Sequence, residues 1–295
     1  MNEIDLLNKF ANIKTWRKFG ERAPHKPLLI LYALAQFQQK SSSAMAFTAV
    51  KDQLKDLLQD FGPYRKTYHP EQPFVRLAND DSLWFLEGSQ SINSKNFTKK
   101  ELQDYNIIGA FKPEVENLLR NKPELIHTIS QQLLYENFPY SIHQDILDAI
   151  GLKPLSDLKI LLNPKTRDPK FRERLLIAYE YKCAICNYDI RLGNTSIGLE
   201  AAHIMWKNVN GPDIEQNGIL LCSIHHKLFD RGAFTISRNH NVIVSDKANG
   251  NFGLKEWLLN YHNSQIRFPQ RKEYYPYKEF TDWHLKEVFH GYSRA

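Results

Sequence analysis

Seven side chains between residues 183 and 226 are of types that bind metals or move protons. His203, Asn217 and His226 form one series, with steps of 14 and 9 residues. Cys183, Cys186, Cys222 and His225 form another, C-x-x-C followed later by C-x-x-H. Core packing alone gives no reason for either pattern, nor for two adjacent histidines behind a cysteine.

The first series suits phosphodiester hydrolysis. That reaction needs a base to deprotonate water and a cation to stabilise the charge on phosphorus and on the leaving 3′ oxygen. Neutral imidazole is a suitable base near pH 7. On this reading His203 activates water, Asn217 orients or ligates, and His226 holds a divalent ion, Mg²⁺ or Mn²⁺. The second series offers three thiolates and one imidazole, a closed tetrahedral set for structural Zn²⁺. One residue along a helix is a turn of about 100°, so His225 can face the zinc and His226 the catalytic ion. The plain alternatives are satisfied structural histidines and cysteines buried without metal. Redox chemistry is disfavoured, since no thioredoxin-like βαβ pattern surrounds the C-x-x-C.

Elements must bring these residues together. LEAAHI (199–204) reads as a strand ending near His203, and residues 220–230 as a helix. Strand, loop, strand and helix would make a compact unit that gains from a metal staple. A helix over 170–181 leads into the cysteine pair. Pro154, Pro164 and Pro169 mark a linker near 152–170. Before it, a helical pattern over 3–40 is broken at Gly20, Pro24 and Pro27, with a buried helix starting near Pro27. A short strand and an amphipathic helix follow, then a hairpin over 73–87 and helices over 110–120, 124–136 and 142–150. The aromatic-rich segment 250–295 reads as packing rather than recognition.

The composition, 42% hydrophobic and 24% charged, supports real cores. Net charge is +6, of which +5 falls in residues 161–295, favouring a polyanionic partner without establishing one. No run of about 18 apolar residues marks a membrane span. MNEIDLLNKF does not read as a signal peptide, and three cysteines argue against a disulfide framework. A cytoplasmic protein is expected.

Two stretches of the first half carry cations: KTWRKFGERAPHKP, with Lys14, Arg17, Lys18, Arg22, His25 and Lys26, and YRKTYHPEQPFVRL, with Tyr64, Arg65, Lys66, Tyr68, His69 and Arg76. Both suit phosphate contact, and a solvated charged face explains them equally well.

His203, Asn217 and His226 at this spacing resemble the HNH endonuclease motif, and LEAAHI…NGILLCSIHHKLFDRGAF resembles its restriction-enzyme branch. The likeness covers roughly 175–240. Many members have Asp before the first histidine where this chain has Ala202, so Glu200, Asp230 or water must complete the ion site. RAPHKPLL followed by HPEQPFVRLANDDSLW resembles the sulfur-binding domain of restriction endonucleases that cleave phosphorothioate-modified DNA. That resemblance implies a shallow apolar pocket for sulfur with cations around it. His25 and Lys26 would be contacts, Arg22 and Arg76 basic neighbours, and Pro73 with Gln72 a wall; relatives often have Tyr at position 72.

The expectation is an α+β protein. A mixed helical and β sulfur-binding domain (1–155) joins, through a linker (156–170), a ββα-metal HNH domain with a zinc knuckle and an aromatic-rich extension (171–295). It would be a modification-dependent restriction endonuclease of a prokaryotic cytoplasm, a homodimer acting on double-stranded DNA. Two other readings stay open: an HNH nuclease reading another mark such as 5-methylcytosine, and a non-catalytic zinc-stabilised DNA-binding protein.

Overall fold

The computed structural model describes residues 1–13, 20–79, 83–88, 97–153 and 168–294. These residues divide into two compact units. The first holds 1–137 and 143–153, the second 138–142 and 168–294. Lys14, Arg17, Lys18 and most of the expected linker lie outside the described residues.

In the first unit, α1 (Glu3–Ala11) starts with a capping box between Asn2 and Asp5. The central helix α2 (His25–Lys40) is apolar nearly all round, and Leu28, Leu29, Ile30, Leu31, Leu34 and Ala35 are fully buried. Burying one such leucine or isoleucine stabilises by roughly 1.5–3 kcal/mol, so packing rather than capping holds α2. Then come β1 (Met45–Ala46), the amphipathic α3 (Phe47–Phe61), α4 (Glu71–Arg76), β2 (Trp84–Glu87), α5 (Lys99–Asp104) and β3 (Ile108–Phe111). Three helices follow: α6 (Pro113–Asn121), α7 (Glu124–Asn137) and α8 (His143–Ile150).

β3 is the middle strand of an antiparallel sheet, with Gly109 opposite Met45 of β1 and Phe111 opposite Trp84 of β2. Phe74, Trp84, Phe111 and Phe10 meet edge to face at 5.7–5.9 Å over this sheet. Only glycine fits at 109, because an added Cβ would lie 2.4 Å from the Trp84 ring.

Two sequence expectations need correction here. Residues 73–87 are not a hairpin: 71–76 are helical, a 3₁₀ turn spans Leu77–Asn79, and β2 pairs with β3 instead. Pro73 lacks the amide a ladder needs, and Pro70 and Pro73 suit a first helical turn, where no donor is missed. Residues 108–111 are a strand and not the start of a helix, which begins at Pro113.

In the second unit α9 (Pro169–Ala178) is N-capped by Asp168, whose carboxylate accepts from Lys170 N. Next come a small hairpin of β4 (Arg191–Leu192) and β5 (Thr195–Ser196), then β6 (Leu199–His203), β7 (Gly218–Cys222) and α10 (Ser223–Asp230). The expected helix over 220–230 therefore starts three residues late, because 218–222 pair with β6, Leu199 opposite Cys222 and His203 opposite Gly218. β8 (Phe234–Ile236) and β9 (Val242–Val244) pair, and α11 (Leu254–Trp257) and α12 (Lys278–Glu287) follow. The aromatic C-terminal segment packs: Trp257 and Tyr261 flank His225, and Trp283 meets Trp206 at 5.8 Å. Among the described residues no helix is long and apolar enough to cross a membrane.

Candidate active site and DNA-binding site

Cys183 and Cys186 sit in the tight turn after α9, while Cys222 ends β7 and His225 lies in the first turn of α10. Their ligand atoms all fall within 4.8 Å of one another, with His225 Nδ1 3.2 Å from Cys222 Sγ and 3.8 Å from Cys183 Sγ, and Cys186 3.9 Å from Cys222. A tetrahedron with zinc–sulfur bonds of ~2.3 Å has edges of about 3.8 Å, so the donor set fits zinc. The second histidine nitrogen faces Trp257 O at 2.9 Å, which assigns Nδ1 to the metal. Burial opposes charge on His225, yet the sulfurs of Cys183 and Cys222 push its pKa up to about 9. Contacts with Cys186 and Cys222 drive the Cys183 thiol far down, toward thiolate.

The other face of α10 carries His226. Its Nδ1 meets Glu200 Oε2 at 2.6 Å, and its Nε2 meets Asp230 Oδ2 at 3.1 Å. Burial works against charge here too, but Asp230 and Glu200 outweigh it and raise the pKa to about 9. Asp230 is buried and also accepts from Trp206 Nε1 at 3.2 Å and from Ser141 Oγ. Glu200 and Asp230 stand on opposite nitrogens of the ring, so a divalent ion on His226 would sit at one nitrogen with only one of the two carboxylates.

His203, at the end of β6, is buried and stacks on Phe171 at 4.3 Å. Its Nε2 bonds Asp213 Oδ1 at 2.7 Å. His203 and His226 line one pocket with Ala201, Trp206, Lys207, Asn208, Asp230 and Pro139. Its volume, about 20 Å³, has room for one water molecule.

Asn217 stands just before β7. Its side chain is fully buried, accepts from Met205 N at 2.8 Å and donates to Met205 O at 2.9 Å and Pro212 O at 3.0 Å. Its amide clamps the loop between β6 and β7. Asp213 went unread in the sequence. Its only signal is the turn-forming NGPD stretch four residues before Asn217.

In the first unit, Arg22 is buried and donates to Phe61 O at 2.6 Å. His25 opens α2, where no side chain caps the helix and no acidic residue stands in the first turn; Lys26 follows it. His25 is exposed. Even so, partial burial and the charges of Arg65, Arg22, Arg76 and His69 hold its pKa down to about 4. Gln72, Pro73 and Arg76 lie on α4, Pro73 buried and the other two exposed.

The family model for the ScoMcrA-like DNA sulfur-binding domain matches residues 3–155, over half of the chain, and the chain belongs to that family. The HNH endonuclease model matches residues 183–237. The protein is a DNA endonuclease, with the make-up of a modification-dependent restriction enzyme. Among solved structures it is similar to the sulfur-binding domain of ScoMcrA complexed with phosphorothioated DNA: 20% identity and TM-score 0.43, over 50% of this chain and 94% of that one. It is also similar to the type IV phosphorothioation-dependent restriction endonuclease ScoMcrA (20%, 0.39, 50% of this chain and 31% of that one). A third is the modification-dependent TagI restriction endonuclease (19%, 0.30, 42% and 39%). No curated protein matches the chain.

Proposed function

We propose that this protein recognises phosphorothioate-modified double-stranded DNA through its first unit and hydrolyses a nearby phosphodiester through its second. The recognition half is supported by His25 at the uncapped start of α2, with no acidic residue in its first turn, and by the charges of Arg65, Arg22, Arg76 and His69 acting on it. A helix N-terminus with cations near it favours an incoming anion, and a backbone phosphate is one. Sulfur in place of a non-bridging oxygen is more polarizable and less strongly hydrated, so neutral His25 and the ring of Pro73 suit it while Arg22, Lys26 and Arg76 pair the charge. Gln72 completes the wall.

In the second unit His203 is the general base. Asn217 fixes the loop that shapes the pocket. His226, with Asp230 or Glu200, would hold Mg²⁺ or Mn²⁺; such an ion, when bound, would neutralise charge on the scissile phosphate and the leaving oxygen. Cys183, Cys186, Cys222 and His225 would hold structural Zn²⁺. Cutting both strands needs two such sites, so the working form is a homodimer, which light scattering with and without DNA would test.

The recognition half is tested by competition binding of the full chain to duplexes identical except for one phosphorothioate. Moderate salt is needed, because nonspecific phosphate contacts dominate at low salt. Several flanking sequences should be tried. A preference for a sulfurated duplex supports the proposal. Equal affinity for every pair contradicts it, and binding of 5-methylcytosine duplexes would point to another mark.

A further inference from the structure

Asp213 stands outside the His203, Asn217, His226 series, yet the loop holds it firmly. Its Oδ1 accepts from His203 Nε2 at 2.7 Å and its Oδ2 accepts from Lys207 Nζ. Asn217 Nδ2 donates to the preceding carbonyl, Pro212 O, at 3.0 Å. Arg174 Nη2 donates to the carbonyl of Asp213 itself at 2.7 Å. Arg174 is in turn fixed by Asp168 and Glu215, each at 2.8 Å. The loop doubles back so tightly that a Cβ at Gly211 would lie 1.8 Å from Met205 O. On its other side the His203 ring rests against Phe171. A surface ion pair with Lys207 would need none of these anchors.

We propose that Asp213 is the positioning carboxylate of the general base. It holds His203 as the Nε2–H tautomer, makes Nδ1 the proton acceptor, and stabilises the imidazolium that forms in the reaction. The inference rests on His203 being the base. In the step, Nδ1 takes one proton from water, the water oxygen bonds to phosphorus, and the bond from phosphorus to the 3′ oxygen breaks. The leaving oxygen is protonated by a solvent water. Asp213 stays ionised throughout, and Lys207 holds its second oxygen so that the first stays directed at the ring.

Two measurements test this on the full chain. In ¹⁵N-histidine-labelled protein, long-range ¹H–¹⁵N NMR should show His203 as the Nε2–H tautomer, its signals assigned by their loss in His203→Ala. Asp213→Asn should change that pattern. In single-turnover cleavage of a phosphorothioated plasmid with Mn²⁺, Asp213→Asn should slow the chemical step on the order of 10²–10⁴-fold without weakening DNA affinity. Asp213→Glu should recover part of the rate. An Nδ1–H tautomer in the native protein overturns the inference even if the variants fold poorly. So does an Asp213→Asn protein that cleaves at the native rate while His203→Ala is inactive. Native-rate cleavage by His203→Ala would instead bring down the base assignment itself, and the inference with it.

Discussion

His225 and His226 are consecutive on α10 and serve two different centres. His225 Nδ1 lies 3.2 Å from the sulfur of Cys222, whereas His226 is bridged by Glu200 at 2.6 Å and Asp230 at 3.1 Å. The same short helix thus links a sulfur cluster to the pocket that His203 and His226 line. Any change that rotates α10 about its axis disturbs both.

Removing the sulfur cluster should unfold the second unit. Cys222→Ser should reduce bound zinc from one per chain to near none and cost several kcal/mol, because binding of a structural metal is folding free energy. Elemental analysis with thermal melting measures both. A zinc-free native protein with an unchanged melting temperature would contradict the cluster's assignment.

Asn217→Ala removes a clamp on the loop between β6 and β7. It strands the amide of Met205 and frees the carbonyl of Pro212. Each buried polar group left unpaired costs about 1–3 kcal/mol, so a loss of about 2–4 kcal/mol is expected in denaturant unfolding. Mn²⁺ affinity by calorimetry should change little.

His226→Ala leaves Asp230 buried beside Trp206 without its imidazole partner. Breaking a buried charged pair costs roughly 3–5 kcal/mol. Adding Asp230→Asn should recover much of that stability while cleavage stays lost. Unfolding curves of the two variants, compared with the native protein, check the coupling.

His25 sets a pH dependence in the first unit. Its folded pKa, about 4, lies below the value of 6.5 expected when unfolded. Between these values the unfolded chain binds more protons, so stability falls as pH drops from 6.5 toward 4 and is full above 6.5. His25→Gln should flatten this dependence in melting temperatures taken across that range. An unchanged slope would mean that other groups cause it.

The placement of the His203, Asn217, His226 series was legible because a fixed spacing of residue types marks it: strand β6 ends on His203, and helix α10 places His225 and His226 on different sides. Asp213 was not legible, because its role depends on a loop folded back on itself through Asn217 and Arg174, a long-range arrangement without periodicity. The helix at Glu71–Arg76 was misread since alternating apolar residues in a short run fit a strand equally well, and only pairing of β2 with β3 decides. His25 and Arg22 could be singled out by resemblance. Arg65 and His69 were legible as part of a charged stretch, and in the fold their charges act on His25.

The most direct test of the account is cleavage by the full chain of two plasmids identical in sequence, one carrying phosphorothioate linkages, at moderate salt with Mn²⁺. The account predicts cuts near the modified linkages on the sulfurated plasmid, none on its plain twin, and no cleavage of either by His203→Ala. Equal cutting of both plasmids, or of neither, would contradict it.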